Sequence, residues 1–474
     1  MKRNRNNMKK ILLLNMALGL AGASSLMAGT VDVYIDGATA FRANVYSACT
    51  KLFVGAAPTI YYADAAHGGA NSGFSSGTAS WVMTGTPITA LTNIQGNTLV
   101  IHGFFTGSVQ GLQTTEQGTK LVFAQPHGAA GGNADTYTTN APTIGFSDAS
   151  GTATPYAASG NFVEENVCVQ PFVWCKSIAG SGAVTTISNI TWEQLEYGIP
   201  VGRIPLSAWS YNLADTNKFV YLMQRTKDSG TRRNETQGEY YQYNDTCAVY
   251  LYDYTNNFFY GGPNNLVGAL VNTNTFFGAF PAGVIGTEGP GLGNANMNWG
   301  FGYIGGGDIK NSLNNNNAPN QAISYLSIAD AKGVNNGGGN WSTVISYNGI
   351  WPTVAGPGIH GNSSTNDYSP ITQGYYPLWG FEVLVHPESG STASVIPNQD
   401  LTYGQLGDEN TPGSFMGVFN AQSYLNGGVL TVGSIENEIV LSQPGGATGI
   451  PIAAMQNGVN TRPAVGGTIY PLFQ

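Results

Sequence analysis

Charged side chains are scarce in this chain, and their scarcity excludes one large class of partner. Only 9% of the 474 residues are Asp, Glu, Lys or Arg, and the formal net charge is −9. No basic tract follows the N-terminal segment. Nucleic acid is therefore not an expected partner, because binding a polyanion needs clustered cations. A small anion is not excluded, since it needs only a local pocket.

Long apolar runs are also few. The stretch from Ile11 to Leu20 follows several basic residues, and small residues then continue to Ala28 and Gly29. This order predicts a secretory signal peptide over residues 1–28, cleaved after Ala28. The alternative, a membrane anchor, is disfavoured because the apolar core is too short to span a bilayer comfortably. We therefore expect an exported protein, periplasmic or on the cell surface, that does not span the membrane.

Cysteine and histidine are too few and too scattered for a metal centre. The cysteines are Cys49, Cys168, Cys175 and Cys247. They allow three disulfide pairings, and the sequence does not choose among them, although Cys168 and Cys175 are near enough in sequence to clip one hairpin or loop. No C-x-x-C pair is present and the five histidines lie far apart. No metal site and no cofactor is therefore expected.

The chain does have ample material for a folded core. Hydrophobic residues make up 42% of the chain and aromatic residues 11%. Val31 to Ile35 alternates like a strand, and apolar residues from Phe41 onward recur at helical spacing. Further apolar strands, such as Thr98 to Ile101 and Val220 to Met223, are separated by helical or glycine-rich segments. One of these, Thr191 to Gly198, resembles a short helix with a threonine cap and a terminal glycine. This alternation predicts an α/β protein with parallel sheets. After Glu388 the composition changes, which predicts a separate C-terminal addition.

The most informative motif follows the strand that ends at Met223. Arg225 precedes a Ser229-Gly230-Thr231 turn at which a helix is expected to begin. Such a turn directs unpaired N–H groups and hydroxyls to one point, where the helix dipole also favours negative charge. The planar arginine fork can hold two oxygens of the same anion. The motif predicts a site for a phosphate-sized ligand, and its alternative is an ordinary helix cap.

Other turns of the same character follow other strands. Gly37-Ala38-Thr39 and Thr106-Gly107-Ser108 each place a glycine and a hydroxyl after a strand, and Ser147-Asp148 adds a carboxylate. Ligands of open α/β sheets bind beyond the carboxyl ends of the strands, where such turns meet. We therefore expect these turns to form one site.

These motifs, in this order, resemble the periplasmic phosphate-binding protein of the phosphate ABC transporter, a family with the two-lobed type II binding-protein fold. The stretch from Asp36 to Phe41 is similar to the family's first phosphate loop, Gly103 to Gly111 to its second, and Ile144 to Ala149 to its Ser-Asp-Ala turn. Arg225 to Thr231 matches its arginine and Ser-Gly-Thr loop. The resemblance implies these phosphate ligands: Thr39, Ala40, Phe41, Ser108, Asp148, Arg225, Ser229, Gly230 and Thr231.

The resemblance implies an architecture and a function as well. The first lobe is expected over residues 29–168 and 320–388, the second over 169–319, and a C-terminal extension of unknown role over 389–474. The implied function is capture of inorganic phosphate between the lobes, with an inner-membrane ABC permease as a further partner. Asp148 would accept the proton of hydrogen phosphate and repel sulfate. The chain departs from the family at Lys227 and Asp228, where an acidic residue and a glycine are usual.

Two other classes of function are alternatives to a binding protein. A hydroxyl nucleophile such as Ser229 would need a nearby base, and no histidine is close to it in sequence. We therefore expect that the protein has no catalytic residues and is not an enzyme. The amide- and tyrosine-rich composition favours the second alternative, a cell-surface structural or adhesive protein that has kept the binding-protein fold.

Overall fold

The structure is a computed structural model of the 474-residue chain. It describes residues 29–64, 80–151, 154, 162–178, 187–225, 229–238, 249–253, 258–262, 306–315, 321–331, 333–334, 343–353, 368–388, 402–407, 411–419 and 450. The predicted signal peptide and the residues Lys227, Asp228 and Cys247 lie outside these ranges. Among the residues described, no helix combines the length and the apolar character needed to cross a membrane.

Most of the strands belong to one mixed sheet. Their bounds are β1 Thr30–Gly37, β2 Thr59–Tyr62, β3 Ser80–Gly85, β4 Thr98–Phe104, β5 Leu121–Ala124, β6 Tyr137–Asn140, β7 Ile144–Ser147, β8 Phe162–Lys176, β9 Asn189–Ile190, β10 Arg203–Pro205, β11 Phe219–Leu222, β12 Val249–Asp253, β13 Phe258–Gly262, β14 Gln321–Ser327, β15 Val344–Tyr347 and β16 Trp379–Pro387. The large sheet has the order β10-β11-β14-β8-β16-β7-β1-β4-β3-β2, and β15 pairs with β8.

The helices are short and follow the strands. Their bounds are α1 Arg42–Thr50, α2 Ser108–Glu116, α3 Trp192–Val201, α4 Ser207–Ser210, α5 Gly230–Gly238, α6 Gly306–Asn315, α7 Ile328–Ala331, α8 Ser369–Thr372, α9 Tyr403–Leu406 and α10 Phe415–Phe419. Helix α3 begins with a capping box, because the Thr191 hydroxyl accepts from the Gln194 N–H and the Gln194 side chain accepts from the Thr191 N–H. The expected end of this helix at Gly198 is wrong: it continues to Val201, and Gly202 closes it with a left-handed backbone.

The strand pairing corrects the expectation of parallel sheets. β1 is parallel to both β4 and β7, and β11 is parallel to β14. The long strand β8 is antiparallel to β14 and β16, and β16 is also antiparallel to β7. The α/β class is confirmed, but the sheet is mixed because β8 and β16 run against their neighbours.

Two separate apolar cores give the protein its two lobes. The first core includes Val33, Phe41 and Phe146, and the second includes Trp174, Leu222 and Tyr325. Strand β8 connects them, since Cys168 lies in the first core and the next residue, Val169, lies in the second. The predicted two-lobed fold is therefore confirmed.

The way the chain returns to the first lobe differs from the expectation. Buried residues between Ala322 and Trp379, including all the buried apolar residues of β14 and β15, pack in the second core. Further along β16, Leu384 lies in the first core. We therefore propose that β16 carries the chain back, rather than a segment starting at residue 320. The other lobe boundaries remain predictions.

The region after Glu388 is not a separate addition where the structure describes it. Leu406 of α9 and Phe415, Met416 and Phe419 of α10 are buried in the first core. Ile450 pairs with Val169 through two backbone hydrogen bonds of 2.7 and 2.8 Å and lies in the second core. This region therefore contributes to the packing of both lobes.

The cysteines that the structure describes are free and buried: Cys49, Cys168 and Cys175. The idea that Cys168 and Cys175 clip a hairpin is wrong, because both lie on strand β8. Seven residues of strand separate their Cα atoms by roughly 23 Å. A disulfide needs less than about 7 Å.

Candidate functional site: a buried polar cluster between two helix N-termini

The order of the strands brings the predicted turns of the first lobe together. β7, β1 and β4 are adjacent and parallel, so the turns after them meet at one edge of the sheet. The Ala38 N–H donates to the Phe146 carbonyl at 2.8 Å, and the Gly107 N–H donates to the Gly37 carbonyl at 3.1 Å. These backbone bonds fix the three turns side by side, as expected for a ligand site at the carboxyl ends of strands.

Asp36, near the end of β1, holds two of these turns in place. Its fully buried carboxylate accepts from the N–H of Gly37 at 2.7 Å, from the N–H of Thr106 at 2.9 Å and from the Thr114 hydroxyl at 2.6 Å. The Thr106 hydroxyl also donates to it, at 2.8 Å. Burial raises the pKa of Asp36 to about 6, although these hydrogen bonds lower it. Thr106 therefore stabilises the site by binding Asp36.

Asp148 is the centre of the candidate site. Its side chain is buried directly after β7, and only 1% of the residue is exposed. One carboxylate oxygen accepts from the Ser108 hydroxyl, and the other accepts from the Thr231 hydroxyl at 3.1 Å. The Asn234 amide N–H donates to the Asp148 backbone carbonyl. The carboxylate therefore joins a turn of the first lobe to the loop and helix that follow β11.

Two helices begin at this carboxylate. Ser108 is the first residue of α2 and Gly230 is the first residue of α5. Ser229 precedes α5 and its hydroxyl accepts from the Arg232 N–H at 3.4 Å. Gly230 approaches so closely that a Cβ there would overlap the Asp148 carboxylate and lie 2.7 Å from the Ser108 Cβ. Two helix N-termini at one point favour negative charge there.

Arg225 supplies a buried positive charge to the same cluster. Its residue is 5% exposed, and its Nη1 donates to the Thr231 hydroxyl at 3.5 Å. The Arg232 guanidinium donates to the Arg225 carbonyl at 3.0 Å and so holds that part of the backbone. Burial raises the pKa of the Asp148 carboxyl, whereas the Ser108 hydrogen bond, the charge of Arg225 and the Thr231 hydrogen bond lower it.

The structure brings most, but not all, of the predicted site residues into contact. Ser108, Asp148, Arg225 and Thr231 form one hydrogen-bonded cluster, and Ser229 and Gly230 border it. Thr39 and Ala40 are half-buried in the turn before α1. Within the described residues, no hydrogen bond links Thr39 to Asp148. The Phe41 ring packs in the first core, 5.7 Å from the Phe146 ring centroid, and the Phe41 N–H donates to the Ala38 carbonyl.

Three buried polar residues at the site escaped prediction. Asp36 fixes the turns, Asn234 binds the Asp148 backbone, and Glu382 on β16 is fully buried. An acid next to buried apolar residues of a strand is the signal that Asp36 and Glu382 share, since such a group is rarely buried without a role. Asn234 carries no comparable signal, because a helical asparagine is usually exposed.

Comparison with known proteins finds a likeness in structure only. No family model matches the chain. No curated protein matches it in sequence.

Solved structures of phosphate-binding proteins resemble the chain distantly. A candidate phosphate ABC transporter substrate-binding protein with bound phosphate from Clostridium perfringens is 12% identical, with 77% of this chain and 91% of that chain covered and a TM-score of 0.34. An ABC-type phosphate transport receptor from Vibrio cholerae is 12% identical, covering 77% and 94%, with a TM-score of 0.33. A phosphate-binding protein from Stenotrophomonas maltophilia is 12% identical, covering 77% and 81%, with a TM-score of 0.31. At such values the likeness does not indicate a function.

Proposed function

We propose that this protein captures inorganic phosphate at the Asp148 cluster, between its two lobes, and serves as an exported substrate-binding protein for ABC-type uptake. It acts by binding and performs no catalysis. Its proposed ligands are Thr39, Ala40, Phe41, Ser108, Asp148, Arg225, Ser229, Gly230 and Thr231. For Ala40, Phe41 and Gly230 the contact would be through the backbone.

One observation carries this proposal: two helix N-termini, two hydroxyls and a buried guanidinium converge on one point. Ser108 and Thr231 both donate to Asp148, and Arg225 reaches Thr231. Hydroxyls, helix-terminal N–H groups and a guanidinium are the donors that a buried oxyanion needs. On binding, the two hydroxyls would turn from Asp148 to the phosphate oxygens.

Asp148 is proposed to select phosphate over sulfate. Hydrogen phosphate carries a proton that the Asp148 carboxylate can accept in a short hydrogen bond. Sulfate is fully ionised at neutral pH and has no proton to offer, so two negative groups would face each other in a medium of low dielectric constant. A buried carboxylate among anion-binding donors is otherwise difficult to explain, because it competes with the ligand for the same hydroxyls.

Calorimetric titration and thermal unfolding of the chain without residues 1–28 test the proposal. Phosphate is expected to bind and to raise the melting temperature by mass action on the folded state. Sulfate at the same concentration is expected to change the melting temperature much less. Equal effects of both anions would contradict the role of Asp148 but not the site. No binding of either anion would contradict the proposed function and leave the cell-surface structural or adhesive alternative.

A further inference from the structure

Glu382 is an acid of this region to which the proposed function gives no role. It lies on β16, is fully buried, and neither of its carboxylate oxygens has a hydrogen-bond partner within the described part of the chain. A buried ionised carboxylate without partners is strongly destabilising, so such a group stays neutral unless a charge nearby compensates it. An unpartnered acid beside a binding site therefore needs a reason.

The strand register places Glu382 next to Asp148. β16 and β7 are antiparallel, with Leu384 opposite Phe146 and Val383 opposite Ser147. The ladder ends at the pair Val383 and Ser147, and the next residues beyond that pair are Glu382 and Asp148. Opposite residues of an antiparallel pair have Cβ atoms about 4.5–5.5 Å apart on the same face of the sheet. The two carboxyl groups are therefore near enough for the charge of Asp148 to act on Glu382.

Helix α5 covers this same face of β16. Gly380 lies two residues before Glu382, so the two positions share a face. A Cβ at Gly380 would collide with the Asn234 amide, which itself binds the Asp148 carbonyl. Along the edge of β16 that is opposite to β7, Glu382 pairs with Cys168 of β8. Glu382 thus lies under the helix whose N-terminus forms the proposed anion site.

The charged and titratable groups around Glu382 do not supply it with a hydrogen bond. The titratable groups next to Glu382 are Asp148 after β7 and Cys168 on β8. Arg225 lies after β11, and helix α5, which packs on β16, carries the buried Arg232, Arg233 and Glu235. Burial raises the pKa of the Glu382 carboxyl well above its usual range, and the charge of Asp148 raises it further. Two carboxyl groups at such short range titrate as a pair, and one of them keeps its proton well above the ordinary range.

We propose that Glu382 is a second acid of the anion site, and that capture of the anion requires Glu382 to hold its proton. This inference rests on the proposed function and adds a requirement to it. While Glu382 is neutral, the anion meets Arg225, two helix N-termini and Asp148 alone. When Glu382 loses its proton, a second negative charge appears beside Asp148 and repels the bound dianion. Phosphate affinity is therefore set by a residue that does not touch the ligand.

The pH dependence of phosphate affinity in the wild type and in Glu382→Gln tests this proposal. Glutamine cannot ionise and has nearly the same size and shape as glutamate. The titration of phosphate itself is the same for both proteins, so it cancels in the ratio of their affinities. Between about pH 5 and about pH 9, the phosphate affinity of the variant relative to that of the wild type is expected to rise at least about tenfold.

A matched control and a second variant keep the outcome clear. Glu196→Gln, at an exposed position of α3, is expected to follow the wild type at every pH. Glu382→Met replaces the buried acid by an apolar group of similar length and is expected to show the same change as Glu382→Gln if the glutamine variant does not fold. Parallel profiles of wild type and variant would overturn this inference and leave the proposed function intact. Absence of phosphate binding at every pH in the wild type would overturn the proposed function and the inference with it.

Discussion

Arg225 is the residue whose loss is expected to cost the proposed site most. Its guanidinium is buried beside Thr231 and its charge acts on Asp148. In Arg225→Ala a bound phosphate would be desolvated without this countercharge. We expect phosphate binding to weaken by about 2–5 kcal/mol, measured by calorimetric titration of the folded variant.

Arg203→Ala is the matched control for this variant. The Arg203 guanidinium lies 4.2 Å from the centroid of the Phe219 ring and stacks on it, away from the Asp148 cluster. Removing it takes away one arginine and a cation–π contact worth about 0.5–1 kcal/mol in stability. Equal losses of phosphate affinity in the two variants would show that Arg225 acts through general charge and not through the site.

Asp148→Asn is expected to change the choice of anion more than the affinity for phosphate. Asparagine has nearly the same shape, so the contacts with Ser108 and Thr231 can largely persist. It carries no negative charge, so sulfate is no longer repelled. The ratio of phosphate to sulfate affinity, measured by competition, is expected to fall while phosphate still binds. A proportional loss for both anions would mean that Asp148 only supports the fold of the site.

Asp36 makes the connection between two turns sensitive to pH. Its pKa in the folded state is raised to about 6, so the folded state holds the Asp36 proton more tightly than the unfolded chain does. The contribution of the bound Asp36 proton to the free energy of unfolding is therefore complete below the unfolded pKa of about 4. It is lost as pH rises through 6. This two-unit shift corresponds to roughly 3 kcal/mol.

Asp36→Asn is expected to remove that dependence. Urea unfolding at several pH values between about 4 and 7 should give a free energy of unfolding for the wild type that falls relative to the variant as pH rises. The amide keeps one oxygen for the N–H groups of Gly37 and Thr106. If the difference between the two proteins stays constant over this range, Asp36 is already ionised in the folded protein and its hydrogen bonds outweigh burial.

At the scale of single elements, local signals in the sequence predicted much of the first lobe and of the site. The alternation in β1, the threonine cap of α3 and the Ser-Gly-Thr turn before α5 each depend on neighbouring residues, and each lies where it was expected. The direction of β8 and β16 and the end of α3 were predicted wrongly. Strand direction depends on long-range pairing, and the glycine that closes α3 with a left-handed backbone is Gly202, whereas Gly198 is buried at a point where a Cβ would collide with Ile204.

At the scale of the whole molecule, the contribution of residues beyond Glu388 could not be predicted from composition. That region is rich in Gly, Ser, Asn and Thr, which indicates loops. A short cluster, from Phe415 to Phe419, nevertheless fills part of the first core. Composition is an average over many residues, so it does not reveal five residues that pack against a surface formed by residues far away in sequence. A buried patch of this kind makes the first lobe depend on the C-terminal region.

Phe419→Ala tests this dependence. The Phe419 ring is fully buried, with its centroid 5.3 Å from that of Phe415 and 6.1 Å from that of Phe146 on β7. Truncating it removes apolar contacts and leaves a cavity, so we expect the free energy of unfolding in urea to fall by about 3–5 kcal/mol. Tyr375→Ala, at a ring that is 65% exposed, is the control and should cost much less. Because Phe146 lies two residues before Asp148, the Phe419 variant should also weaken phosphate binding. Unchanged stability in Phe419→Ala would mean that the C-terminal region is an addition to a lobe that is complete without it.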